Sequence, residues 1–229
     1  TVDQSDATVL LYQSRTRAFD GVAAWRFDDG DLRASEPGQA TVRVRGARVT
    51  SSFFDVLGIR PALGRGFAAG EDRPGRNGVV VLSHDLWEER FHGDPSAIGR
   101  QMIVNDVPRT IVGVMPPRFA YPGTEVQLWL PLSLDPAHLH PATFNLVGIA
   151  RLGPDVSAEA ARADLSRALT HADASYGSVA VWQQAHLMPR VESLRDSIVG
   201  PVSHLLWLVF GSVLLVLVVA CVNVAGLFL

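Results

Sequence analysis

From Leu205 to Leu229 the chain carries no charged residue, and Ser212 and Asn223 are the clearly polar side chains in the run. At a rise of about 1.5 Å per residue, about 25 helical residues reach roughly 37 Å, more than the ~30 Å hydrocarbon core of a bilayer. A helix of that length on a water-soluble protein shows a polar stripe, and this run has none. The sequence therefore predicts a transmembrane helix over residues 204–229, with Trp207 at its head in the interfacial belt and the lipid bilayer as a partner.

Within the run, Asn223 is informative because an amide in hydrocarbon gains about 1 kcal/mol from an interhelical hydrogen bond. Cys221 and Ala225, one turn apart, are small enough to let another helix approach, and Gly226 widens that face. These four residues form the expected transmembrane packing face. A lone anchor tolerates the same pattern by chance, so a single anchor and a multi-helix bundle both stay open. The preceding flank sets Arg190 and Arg195 against Glu192 and Asp196, which leaves orientation undecided by charge. Residues 1–8 lack the basic-then-apolar pattern of a secretory signal, as expected where an export signal or a first membrane helix lies upstream.

The other ~200 residues suffice for one ordinary domain or two small ones. A charged fraction of 19% suits a folded, water-facing body. The net charge of -3, with basic residues scattered, argues against nucleic acid as a partner, because phosphate binding needs a concentrated basic surface. All 20 basic side chains are arginine. A G-x-x-x-x-G-K-[ST] phosphate loop cannot exist without lysine, so any nucleotide hydrolysis must reside on another polypeptide. Cys221 is the single cysteine, which leaves the body without disulfides or thiol chemistry.

Periodicity predicts an α+β body. A short helix from Val9 passes into a strand through Phe19, Val22 and Trp25. Residues 40–50 alternate, with Val42 and Val44 on one face and Arg43 and Arg45 on the other, as in a half-buried strand. Ser51 or Ser52 is expected to cap a short helix carrying Phe53, Phe54 and Leu57 that stops at Gly58. A loop rich in Gly, Pro and Arg follows to Gly78. Residues 79–82 then read as a buried strand, and Ser83 as the cap of a helix with Leu86, Trp87 and Phe91 on one side. Residues 101–104 and 110–114 read as strands joined in a hairpin at Asn105-Asp106. Residues 126–130 add a strand, and residues 144–152 are apolar enough for a central one. Ser157 is expected to cap a helix with Ala161, Leu165, Ala168 and Leu169 in a stripe, ending near Tyr176. Residues 179–187 alternate as a further strand. Strand, helix and strand thus surround a β-rich insert.

Chemistry-bearing clusters are sparse. His138-x-His140 is the closest pair among seven histidines, but with Asp135 as its one neighbouring carboxylate it falls short of a metal ligand set and reads as solvated loop. Asp28, Asp29 and Asp31 around Gly30 lack the ladder and terminal Glu of a calcium loop and read as a turn. No G-x-S-x-G elbow occurs, so hydrolase chemistry has no anchor. Trp25, Trp87, Trp129 and Trp182 read as core. No catalytic, cofactor-binding or metal residue is expected.

Several stretches, in order and spacing, resemble the MacB-like periplasmic core domain joined to the start of an FtsX-like permease, in the style of acidobacterial duplicated permeases. They are Val49-Thr50-Ser51-Ser52-Phe53-Phe54-Asp55-Val56-Leu57-Gly58, Pro61, Leu63-Gly64-Arg65, Phe67 and Glu71-Asp72. Val80 to Trp87, Arg90-Phe91, Gly99 and Val104-Asn105 continue the pattern. Thr110-Ile111-Val112-Gly113-Val114-Met115-Pro116, Trp129-Leu130-Pro131-Leu132, Ala150-Arg151-Leu152 and Ala220-Cys221-Val222-Asn223-Val224-Ala225 complete it. Gly226 departs from the family, which often has Asn there.

The resemblance implies a discontinuous porter-like α/β lobe over residues 1–60 and 143–189, with an inserted mainly-β lobe over 61–142. A stalk over 190–203, bent at Gly200 and Pro201, would lead into the 204–229 helix as the second of the permease. It further implies an ABC transporter permease in a bacterial inner membrane, with its soluble domain in the periplasm. ATP would be hydrolysed on a separate cytoplasmic ATPase subunit, a second permease copy would complete a dimer, and this chain would not be an enzyme. The alternative is a membrane-tethered ligand-binding or adaptor module without transport. An anchored hydrolase is disfavoured because nucleophile, base and oxyanion donors do not converge.

Overall fold

The computed structural model describes residues 3–28, 32–35, 41–176, 182, 188–197 and 209–219. Its architecture is set by one long bent hairpin. The first arm is β1 (Phe19–Phe27) continued by β2 (Leu32–Ser35), and the second is β3 (Val42–Val44) continued by β4 (Gly46–Val49). Arg45 alone separates β3 from β4. At the base of the hairpin Trp25 pairs with Val49 and Phe27 with Ala47, while at its tip Ala34 pairs with Val42.

The remaining strands are β5 (Leu63–Gly64), β6 (Val79–Leu82), β7 (Gln101–Val104), β8 (Val107–Val114), β9 (Leu128–Pro131) and β10 (Val147–Leu152). They join the hairpin in a ten-stranded sheet of order β10-β1-β4-β9-β6-β8-β7-β2-β3, with β5 on β8. The hairpin's base and tip stand near opposite ends of that order, although one residue joins β3 to β4. The sheet must therefore curl back on itself. β4–β9 and β6–β8 are parallel and the other pairings antiparallel, so the sheet is mixed and the class is α+β, as expected.

Period-two alternation decides which side chains enter the curl. Val80 and Leu82 of β6, with Leu128 and Leu130 of β9, face a core that also holds Val44, Ile111 and Met102. Val81, Val112 and Trp129 face the opposite way, onto Phe53, Phe54 and Met115. α1 (Asp6–Arg15) lies over β1, and α4 (Ala158–Thr170) packs on α1; the two share Leu11, Tyr12, Ala168, Leu169 and Trp182 in a third cluster. Ser5 and Thr8 form a capping box on α1, and Ser157 accepts from Ala160 N at 3.1 Å to cap α4. Ser83 caps α3 (His84–Phe91) in the same way, from Leu86 N at 3.1 Å.

Some expectations are corrected. α2 (Phe53–Leu57) ends on Gly58 in the left-handed region, as expected, but neither serine caps it with its side chain. Ser52 Oγ instead donates to Val22 O at 2.9 Å, and the Asp72 carboxylate takes Ser51 N at 2.7 Å. β10 is the terminal strand of the order rather than a central one, and its exposed Gly148 and Ala150 explain why an apolar run suits an edge. Trp182 is helical, so the strand expected over 179–187 does not hold there; the rest of that stretch lies outside the described residues. α4 stops at Thr170, and a separate short turn of helix spans Ala174–Tyr176.

Residues Thr1–Arg190 form one compact unit and Val191–Leu229 another. In the second, residues 194–197 and 209–219 are helical. No helix among the described residues is long and apolar enough to cross a membrane.

Candidate functional site

Polar groups converge where the curled sheet opens beside β1 and β4. Arg26 and Arg48 stand directly opposite each other across that antiparallel pair. Like charges so placed are unfavourable, and Asp28, just beyond β1, offsets them: Arg48 Nε donates to its Oδ1 at 2.7 Å. The Asp28 side chain is 9% exposed, and its Oδ2 is buried without a partner among the described residues. Arg109 of β8 is also buried, donates to Asn77 O and keeps an Nε without a partner among the described residues. Burial holds the Arg109 pKa below its ordinary value and the neighbouring Arg48 charge adds to this, while Asp28 opposes both.

A cleft of about 340 Å³ opens next to this cluster. Arg26 and Arg48 line it from the sheet, Asp6 from the start of α1, and Ser133, His140 and Asn145 from the connection between β9 and β10. Asp6 is engaged there: its carboxylate accepts from Ala7 N at 2.6 Å and from His140 N at 2.8 Å, with His140 Nδ1 at 3.1 Å. Ser133 adopts φ 34°, a region that side-chain-bearing residues seldom enter.

A second constellation holds α2 against the sheet. Phe53 and Phe54, 5.4 Å apart, pack with Tyr121, Phe67, Phe119 and Trp129 at ring-centroid separations of 5.7 to 6.2 Å. Trp25 Nε1 donates to the Tyr121 hydroxyl at 3.2 Å, and burial raises the pKa of that phenol. The segment after α2 is strapped down by Arg65, which makes a two-pronged contact with Glu71 at 2.7 and 2.8 Å. Gly64 and Gly113 pair across β5 and β8, a backbone approach that admits no side chain.

Residues 1–168 match the MacB-like periplasmic core domain family. The chain belongs to that family. Over 86 residues it is 36% identical to the macrolide export ATP-binding/permease protein MacB of Chromobacterium violaceum, covering 37% of this chain and 13% of that protein. A domain of a permease protein from Porphyromonas gingivalis shares its fold at TM-score 0.59 and 17% identity, covering 86% of both chains. The periplasmic region of MacB from Actinobacillus actinomycetemcomitans follows at 0.53 and 19%, covering 83% of this chain and 86% of that one. The extracellular domain of the Gram-positive ABC-type transporter YknZ gives 0.52 and 14%, covering 72% and 81%.

The stretches that resemble the MacB-like family have structural work in this domain. Ser51 to Gly58 makes α2 and its cap, Leu63-Gly64-Arg65 makes β5 and the strap, and Glu71-Asp72 holds Arg65 and Ser51. The packing residues Cys221, Asn223, Ala225 and Gly226, and the bend residues Gly200 and Pro201, lie outside the described residues. His138 and His140 are each drawn to their own carboxylate, Asp135 at 2.8 Å and Asp6 at 3.1 Å. Among the described residues no three His, Cys, Asp or Glu side chains gather as a metal would require. Sequence reasoning passed over Asp164, Arg109 and the Arg26–Arg48 pair. Asp164 had a visible signal: it falls on the apolar stripe of α4, three residues after Ala161, and it accepts from Arg17 N at 2.7 Å and Ala18 N at 2.8 Å. Arg109 gave none, because its burial depends on the curl of the sheet.

Proposed function

We propose that this chain is the extracytoplasmic core domain and one transmembrane helix of an ABC transporter permease, in which ATP hydrolysis on a separate cytoplasmic subunit drives movement of the outer domain and export or release of a substrate. The observation that carries this reading is the family match over residues 1–168 followed, from Leu205, by an uncharged apolar run. Residues 209–219 of that run are helical, and large apolar side chains from Val209 to Val219 are exposed around them, as a lipid-facing helix requires. In this reading residues 204–229 cross the bacterial inner membrane and 190–203 form the stalk. The outer domain comprises the porter-like lobe, 1–60 with 143–189, and its 61–142 insert. A second copy completes a dimer, and the chain supplies no catalytic chemistry of its own. Motion reaches the domain because packed elements shift as rigid bodies.

Replacing Gly200 and Pro201 together by alanine tests the stalk. With the ATPase partner present, transport is expected to fall while the amount of protein in the membrane stays constant. Unchanged transport would remove the bend from the mechanism.

A further inference from the structure

The cleft beside β1 and β4 has unspent hydrogen-bonding capacity on several elements at once. The Arg48 guanidinium offers five N–H groups, and among the described residues its hydrogen bond is the one from Nε to Asp28. Its terminal nitrogens are not among the buried, unpartnered atoms and face accessible space, and the residue lines the cleft. The Ser133 hydroxyl, the Thr143 hydroxyl and the Asn145 amide line the same space from the β9–β10 connection, and none has a hydrogen-bond partner among the described residues. The one carboxylate lining the cleft, on Asp6, is occupied by the Ala7 and His140 donors.

Ser133 also holds a left-handed backbone at the cleft wall, a conformation that costs free energy for a residue with a side chain. Leu132, Leu134 and Leu146, buried at 6%, 6% and 3% exposure, line the cleft as well, so its wall mixes apolar and polar groups. Guanidinium, hydroxyl and amide donors converging on one cleft match an oxyanion, whose oxygens accept several short charge-assisted hydrogen bonds. The volume, about 340 Å³, lies at the small end for ligand sites.

We infer that this cleft is a binding site for a small oxyanion, a carboxylate or a phosphate, gripped by Arg48 and oriented by Ser133, Thr143 and Asn145. The inference stands apart from the transport reading, since it concerns the folded domain whatever drives it.

The test is calorimetric titration of the full chain in neutral detergent with inorganic phosphate and, separately, with glucuronate. Saturable binding of at least one is expected, and which one binds tells phosphate from carboxylate. Arg48→Gln is expected to weaken it about tenfold or more, the size of one charge-assisted hydrogen bond. Arg43→Gln, on the outward face of β3, should leave it unchanged. Because Arg48 also pairs with Asp28, Asn145→Asp serves as a second variant; it sets a negative charge at an exposed position of the cleft wall and should abolish binding without lowering the thermal midpoint. Failure of both anions to saturate would overturn the inference, as would equal weakening by Arg48→Gln and Arg43→Gln, or undiminished binding in Asn145→Asp.

Discussion

Gly64 and Gly113 each meet a backbone carbonyl where a β-carbon would stand: Val112 O for Gly64 and Arg65 O for Gly113. Gly64 also has φ 68°, so it needs glycine twice, for space and for conformation. Gly113 needs it for space alone, because a methyl there would push β5 and the strap off β8. Arg65 N donates to Val112 O at 2.8 Å across this contact, so the displacement would break a ladder bond as well. Gly113→Ala is therefore expected to destabilise the domain by about 3 kcal/mol, the upper range for overpacking with backbone movement. Gly78→Ala, where no atom lies within 4 Å of the added carbon, should stay within about 0.5 kcal/mol of the parent. Urea unfolding followed by circular dichroism separates the two; equal midpoints would show that the β5–β8 approach has slack.

At the scale of the element, the strap between α2 and β6 depends on charge as much as on packing. Hydrogen bonds from Arg65 hold the Glu71 carboxyl below its usual pKa, Ala68 N and the Arg65 charge act in the same direction, and partial burial opposes them. A lowered native pKa means that the unfolded chain binds the proton more tightly. The resulting stabilisation is whole above the ordinary carboxylate range and is lost as pH falls through the lowered native value. Half of the Arg65 side chain is exposed, so solvent screens the pair and its worth stays below about 1 kcal/mol. Glu71→Gln should be less stable than the parent at neutral pH and converge with it in acid; a constant gap across that range would assign the loss to packing. The strap also shows where the sequence is legible. α3, α4 and the Asn105-Asp106 turn follow from local rules, and both turn residues take the positive φ that a tight hairpin needs, 50° and 64°. α2 lacks its expected serine cap: the Ser52 hydroxyl turns to Val22 O, thirty residues back, and Asp72, twenty-one residues on from Ser51, takes the Ser51 amide. β2 carries a weak strand pattern, Leu-Arg-Ala-Ser, and exists because β3 and β7 flank it. The oxyanion cleft is less legible still, since its groups come from β1, β4 and the β9–β10 connection and meet through the sheet order.

For the whole molecule, the division into a core-bearing unit over residues 1–190 and a second unit from 191 onward sets two stability problems that can be perturbed separately. The first unit has its own cores, built on Trp129, Phe53, Leu82 and Leu11. The second exposes Val213, Leu215, Val216 and Leu217 at 58 to 68%, a continuous apolar surface of a kind that water-facing proteins avoid. If lipid is the solvent for that surface, a charge at its centre must be expensive. Arg at mid-helix costs about 2.5–3.5 kcal/mol, where Val contributes slightly favourably, so Val216→Arg should lower the inserted-to-uninserted ratio on the order of a hundredfold. Val216→Leu should leave it unchanged. Carbonate extraction of membranes from cells expressing residues 1–229 by themselves reads the ratio, and near-ultraviolet dichroism of the buried tryptophans reads the outer domain, which both variants should leave intact. Release of Val216→Arg from the membrane with the tryptophan signal preserved is the outcome required of an anchor independent of the fold it carries. Retention in the membrane, or loss of the tryptophan signal on release, would overturn the reading of the apolar run as an independent lipid-facing anchor.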